Sequence, residues 1–116
     1  MSNKDREAKL FIADVLEAIQ KIENYTHKMS YEEFMKDERT KDAVLRNLEV
    51  IGEAVKNIPN EIKEKYLKVD WKAISGMRDR LIHGYFGVSF PIIWETVTDE
   101  LPTFKENIEE VLKEMG

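Results

Sequence analysis

Apolar residues recur at intervals of three and four along almost the whole chain, and this regularity restricts it to helices packed on one another. From Lys4 to about Tyr25, Ala8, Phe11, Ile12, Val15, Ala18, Ile19 and Ile22 share one side of a helical wheel, with charged residues between them. That pattern predicts an amphipathic helix of about six turns. Ser30-Tyr31-Glu32-Glu33 then has the form of a capping box, in which serine and glutamate satisfy each other's backbone donors at the start of a short helix ending near Asp37. From about Glu38 to Asn57, Val44, Leu48, Ile51, Val55 and Ile58 make a second long stripe. Pro59 closes it, because a proline ring disfavours a helical residue before it and has no N–H to donate.

A short helix is expected from Pro59-Asn60-Glu61 to about Tyr66. Asp70 is suited to cap the next, with Trp71, Ile74 and Met77 facing inward, and that helix is expected to run to His83, where Gly84 can adopt the left-handed closing conformation. The final segment begins after Gly87 with Ser89 as cap and Pro91 in the first turn. Ile93, Val97, Leu101, Phe104, Ile108, Val111 and Met115 carry one stripe to the C-terminus. Pro102 interrupts it, and a kink is favoured over a break because the stripe stays in phase across the proline. No segment alternates as a strand does. The expected fold is an all-α antiparallel helical bundle of about five to six helices, one domain over residues 1–116.

Composition narrows the function. The chain has 116 residues, 42% of them hydrophobic, and no cysteine, which excludes thiol chemistry and thiolate metal sites and suits a reducing cytoplasm. The N-terminus is charged and no apolar run approaches a membrane span, so a cytoplasmic protein without a membrane partner is expected. The net charge of -5 has the wrong sign for non-specific attraction to a nucleic acid. A polyanionic partner must therefore be met by a local cationic patch.

The stretch GMRDRLIHGYFG, residues 76–87, concentrates chemistry-bearing side chains: Arg78, Asp79, Arg80, His83 and Tyr85. Arg78 and His83 stand five apart, about 140° around an ideal helix, so they do not share a face. Asp79 and His83 are an i, i+4 pair that does, and a carboxylate there would orient the imidazole and favour its protonated form. Arginine offers a planar fork matched to phosphate oxygens, and histidine exchanges protons near neutral pH. Such a pair suits cleavage of RNA, which carries its own 2′-hydroxyl nucleophile and needs a base, an acid and a cation but no metal or cofactor. One histidine cannot conveniently be both acid and base in an in-line displacement, whereas a two-fold dimer apposing two copies of this helix end supplies two. His27, near the end of the first helix, is too remote in the pattern to be recruited.

Arg78-Asp79-Arg80-Leu81-Ile82-His83-Gly84-Tyr85 matches the R-x-x-x-x-H-x-Y motif, and the chain resembles the HEPN-domain proteins, specifically the HepT-like toxins. RNLEVIGEAVKNIP, residues 46–59, is similar to the helix these proteins place before the motif, and YFGVSFPIIWETVTDELP to the one after it. The resemblance implies a homodimeric helical bundle acting as a metal-independent RNase toxin, with Arg78 and His83 in the catalytic positions. It also implies a minimal nucleotidyltransferase antitoxin that neutralises the toxin by transferring AMP to the motif tyrosine, here Tyr85. Asp79 departs from the family, many of whose members carry an amide there.

Other readings stand beside these. His83 as a helix C-terminal histidine would favour the dipole, and Arg78 could pair with an acidic neighbour. Arg80 and Lys72 are either solvated or extend a phosphate patch. Tyr85 either presents its hydroxyl near His83 or packs on Phe86 and Phe90. Glu53 either faces Arg78 or faces solvent. The whole chain could be a non-catalytic HEPN module that binds nucleotide or docks a minimal nucleotidyltransferase, or a plain helical dimerisation unit.

Overall fold

The computed structural model of the protein describes residues 3–81 and 87–116, apart from the side chain of Arg78. Two long helices, α1 (Asn3–Thr26) and α3 (Glu38–Asn57), pack along each other, joined by the short α2 (Tyr31–Lys36). They are antiparallel: the groove between them has Tyr25 beside Asp42 and Ala43 at one end, and Phe11 beside Ala54 and Asn57 at the other. Ile12, Val15, Ile19 and Ile22 of α1 are buried, as are Val44, Leu48, Ile51 and Val55 of α3. These are the stripes that the spacing picks out, and removing them from water supplies most of the drive to fold.

The capping box forms as expected. Ser30 Oγ accepts from the Glu33 N–H at 3.1 Å, and Glu33 Oε1 accepts from the Ser30 N–H at 3.0 Å. Bonding to Ser30 holds the Glu33 carboxyl below its ordinary range. A depressed carboxyl contributes fully above its unfolded-state value, and that contribution is lost as the pH falls through the lower folded-state value. Ser30→Ala deletes the Oγ that caps the Glu33 N–H, while keeping the backbone N–H that Glu33 accepts from, and this loss of a cap should cost about 1 kcal/mol. Urea melts of wild type and variant at pH 7 check this.

Asp37 ends α2 and at once caps α3, its Oδ1 accepting from the Thr40 N–H at 3.0 Å. At the other end Ile58 turns extended (φ -67°, ψ 130°), as a residue before proline should. The short α4 (Asn60–Lys65) follows and leads through a loop to Asp70, which caps α5 (Trp71–Ser75) with a bond from the Ala73 N–H at 3.1 Å. The single helix expected from here to His83 is divided. Gly76 lies at φ -86°, ψ 0°, a turn between α5 and α6 (Met77–Leu81). Glycine pays the largest entropic cost to stay helical, and this one stops the ladder after a single turn.

The C-terminal run contains α7 (Phe90–Glu95) and α8 (Leu101–Met115), with Thr96–Glu100 between them as a π-helical turn. Pro102 has no N–H to offer the preceding turn. The backbone widens just before it, and the Leu101 N–H reaches the Thr96 carbonyl five residues back instead of four. Dihedrals remain right-handed helical at Glu95 (-59°, -44°) and Leu101 (-61°, -40°), so the run continues across the proline without a break. The successive four-residue steps Ile93–Val97–Leu101 suit a turn holding one extra residue, and all three are buried. The ion pair of Lys105 with Glu23, at 2.9 Å, joins α8 to α1, and Lys9 of α1 bonds the carbonyl of Gly116. No strand and no helix long and apolar enough to cross a membrane occurs among the described residues.

Candidate functional site

The motif helix α6 is positioned by two core anchors. Met77 and Leu81, each 1% exposed and four residues apart, fix its rotation against α3 and α7. By the 100° step of a helix, the direction opposite this pair belongs to Asp79. Asp79 and its neighbour Arg80 are accordingly exposed. α5 crosses α3 at Gly52, where an added methyl carbon would stand 3.7 Å from the Ile74 carbonyl oxygen. A small residue here lets α5, and α6 after it, lie close against α3.

The Arg78 side chain and residues 82–86 fall outside the described residues. The expected Asp79–His83 pair, the Gly84 closure and the placement of Tyr85 therefore lie there too. The residues flanking that segment are described, and they are tied together: the Ser89 N–H donates to the Leu81 carbonyl at 3.1 Å. Gly87 has φ +76°, left-handed backbone that favours glycine. Ser89 occupies the N-cap position of α7 and Pro91 its first turn, but the serine side chain makes no capping bond.

Arg80 does not stand alone in solvent. Its Nη1 lies 3.3 Å from Glu100 Oε1 in the π-helical turn, an exposed pair contributing at most about 1 kcal/mol. The pair lowers the positive charge that Arg80 can offer a phosphate. Glu100→Gln should release it and tighten RNA binding a few-fold, as a titration of labelled RNA at low salt would record. Lys72 is exposed, with no ion-pair partner among the described residues. Glu53 takes the solvent-facing alternative and stands 4.0 Å from Lys56. His27 is exposed in the turn after α1, lining a cleft with Trp94 and Thr98.

One residue beside the site is not singled out by the sequence pattern. Lys41 is buried, its Nζ 2.9 Å from Glu38 Oε1 and 4.7 Å from the centre of the Phe90 ring. Phe90 also meets Phe34 edge-on at 6.4 Å. A cation on one side and an aromatic ring on the other hold the first residue of α7, three positions after Gly87. A signal for it does exist: Lys41 is in phase with Val44, Leu48, Ile51 and Val55, so its methylenes belong to the core stripe while its ammonium reaches the edge.

Fold and site together define a class of protein: an all-α bundle with a short, core-anchored helix bearing Arg78-Asp79-Arg80, followed in the sequence by His83 and Tyr85. A sequence model of the family described as Ribonuclease HepT-like matches residues 15–111, the motif included. One candidate RNase of Methanocaldococcus jannaschii is 48% identical over 95% of this chain and 91% of its own length, and another from that organism is 44% identical over the same shares. A Thermococcus cleftensis protein named probable ribonuclease HepT is 43% identical over 93% of this chain and 98% of its own. No solved structure matches the chain. The chain belongs to the ribonuclease HepT-like family, and its bundle is the HEPN-like arrangement.

Proposed function

We propose that this protein is an RNase, the toxin of a toxin–antitoxin pair, cleaving RNA phosphodiesters without a metal at a site built from Arg78, His83 and Asp79. The observation behind this reading is that Arg78, His83 and Tyr85 fall at the spacing of the R-x-x-x-x-H-x-Y motif inside the segment matched to a ribonuclease family. The chemistry balances with the groups at hand. A histidine takes the proton of the RNA 2′-hydroxyl, the 2′-oxygen attacks the adjacent phosphorus, and the bond to the 5′-oxygen breaks as that oxygen receives a proton. Arg78 stabilises the charge developing on the phosphorane oxygens. The products are a 2′,3′-cyclic phosphate and a free 5′-hydroxyl. Base and acid come from two copies of His83 across a two-fold homodimer, in which Asp79 orients the imidazole of its own protomer.

Regulation falls on Tyr85. A minimal nucleotidyltransferase antitoxin transfers AMP from a nucleoside triphosphate to the tyrosine hydroxyl, forming an O–P bond and releasing pyrophosphate. A phosphodiester fixed two residues from His83 would compete with RNA for Arg78, which accounts for neutralisation. Mass spectrometry of protein made with its partner should find the adduct on Tyr85, and Tyr85→Phe should escape it.

Two carboxylates favour a second reading. Asp79 stands beside Arg78 in sequence, and Glu100 pairs with Arg80, so the motif face has less positive charge than its arginines suggest. A non-catalytic module that binds nucleotide or docks the nucleotidyltransferase would tolerate this. Incubation of the pure protein with RNA in EDTA separates the two: the nuclease yields fragments ending in cyclic phosphate or 3′-phosphate, the module leaves RNA intact.

A further inference from the structure

The RNase reading requires a polyanion to bind a protein of net charge -5, so cations must be concentrated somewhere beyond the motif. Several lysines are already paired with carboxylates: Lys4 with Glu61, Lys21 with Glu17, Lys41 with Glu38, Lys56 with Glu53 and Lys105 with Glu23. The segment from Lys63 to Lys72 concentrates lysines. It holds four within ten residues, and Lys63, Lys65 and Lys72 make no ion pair among the described residues. The fourth, Lys68, makes an exposed pair with Glu110 that an incoming anion can exchange.

Lys63, Lys68 and Lys72 line an open cleft of about 660 Å³ between α4 and α5. Two carboxylates share it. Asp70 is occupied in capping the Ala73 N–H, which leaves Glu64 as the opposing charge. Burial pushes the Lys63 ammonium below the usual lysine range, with no carboxylate to offset it. An ammonium partly withdrawn from water and lacking a counter-ion is stabilised by an anion that enters beside it. Lys72, at the edge of the cleft, lies on α5, which the turn at Gly76 joins directly to the motif helix α6.

We propose that the α4–α5 cleft, through Lys63, Lys68 and Lys72, binds backbone phosphates of single-stranded RNA and leads the strand to the motif helix. The proposal rests on the RNase reading for its ligand, and its failure is separable from failure of that reading. Phosphate contacts made by lysine carry no sequence preference, so the cleft sets affinity and register while leaving base choice to other groups.

The test is binding of a fluorescently labelled single-stranded RNA about 20 nucleotides long, measured by anisotropy from low to moderate salt. It uses His83→Ala protein, to prevent cleavage, with and without Lys63→Gln/Lys72→Gln. The double substitution should weaken binding about tenfold at low salt and flatten the plot of log affinity against log salt by roughly 0.7 for each phosphate no longer neutralised. Lys21→Gln/Lys56→Gln, which removes two cations elsewhere, should leave affinity and slope unchanged. Equal affinity and slope for the cleft variant and its parent would overturn the proposal even if the wild-type protein cleaves RNA. Loss of binding on cleft substitution, in a protein whose wild type never cleaves RNA, would support the cleft and overturn the nuclease reading.

Discussion

His83→Ala is expected to lower the rate of RNA cleavage by about 100-fold to 10,000-fold, the range that a positioned acid or base contributes. The bundle should survive the change, because the described core closes on Met77, Leu81 and the stripes of α1, α3 and α8 without calling on His83. Thermal melts and far-UV circular dichroism should therefore match those of the wild type while fragments vanish from the gel. If the two histidines of a dimer act as acid and base, the variant should also poison the wild type. With nine parts variant to one part wild type, freely exchanging, wild-type homodimers are about one in a hundred of all dimers, and cleavage per wild-type chain should fall about tenfold. Cleavage by His83→Ala at the wild-type rate would remove His83 from the mechanism. Cleavage proportional to wild-type chain in the mixture would remove the two-fold site.

The parts of the fold legible in the sequence are those fixed by neighbours in the chain. The Ser30–Glu33 box spans four residues, and the end of α3 is dictated by Pro59 acting on Ile58, so both appear where local rules place them. Gly76 shows the limit of such rules. The apolar spacing of Trp71, Ile74 and Met77 is continuous across it, and only the competition between packing and a weak helix former decides that the backbone turns there. Pro102 announces a disturbance without giving its form, because a kink, a break and a wide turn all answer a missing N–H. At the site, Arg80 and Glu100 are twenty residues apart, and nothing local pairs them. Their contact depends on how α6 sits against the π-helical turn. Lys41 is hidden for a different reason: a charged residue in an apolar stripe reads as an interruption until Phe90 is seen beneath its ammonium.

Arg78→Ala is expected to cost about 100-fold to 1,000-fold in kcat, as loss of a donor aimed at developing oxyanion charge does. Arg78→Lys should recover only part of this, because lysine restores the charge but not the planar fork that engages two phosphate oxygens together. Reading kcat and KM separately distinguishes the roles, since a purely ground-state contact would raise KM and leave kcat alone. Asp79 supplies the companion experiment, because its two expected effects have opposite signs. As the proposed partner of His83 it would help hold the imidazole in place; as an anion beside Arg78 in sequence it would repel the incoming phosphate. Asp79→Asn should therefore lower KM for RNA a few-fold and lower kcat as well, and the acid limb of the kcat profile should move down as the imidazolium loses its carboxylate. An Asn variant with unchanged kcat and an unmoved pH profile would leave Asp79 as surface charge, and His83 would then need its orienting partner from the other protomer.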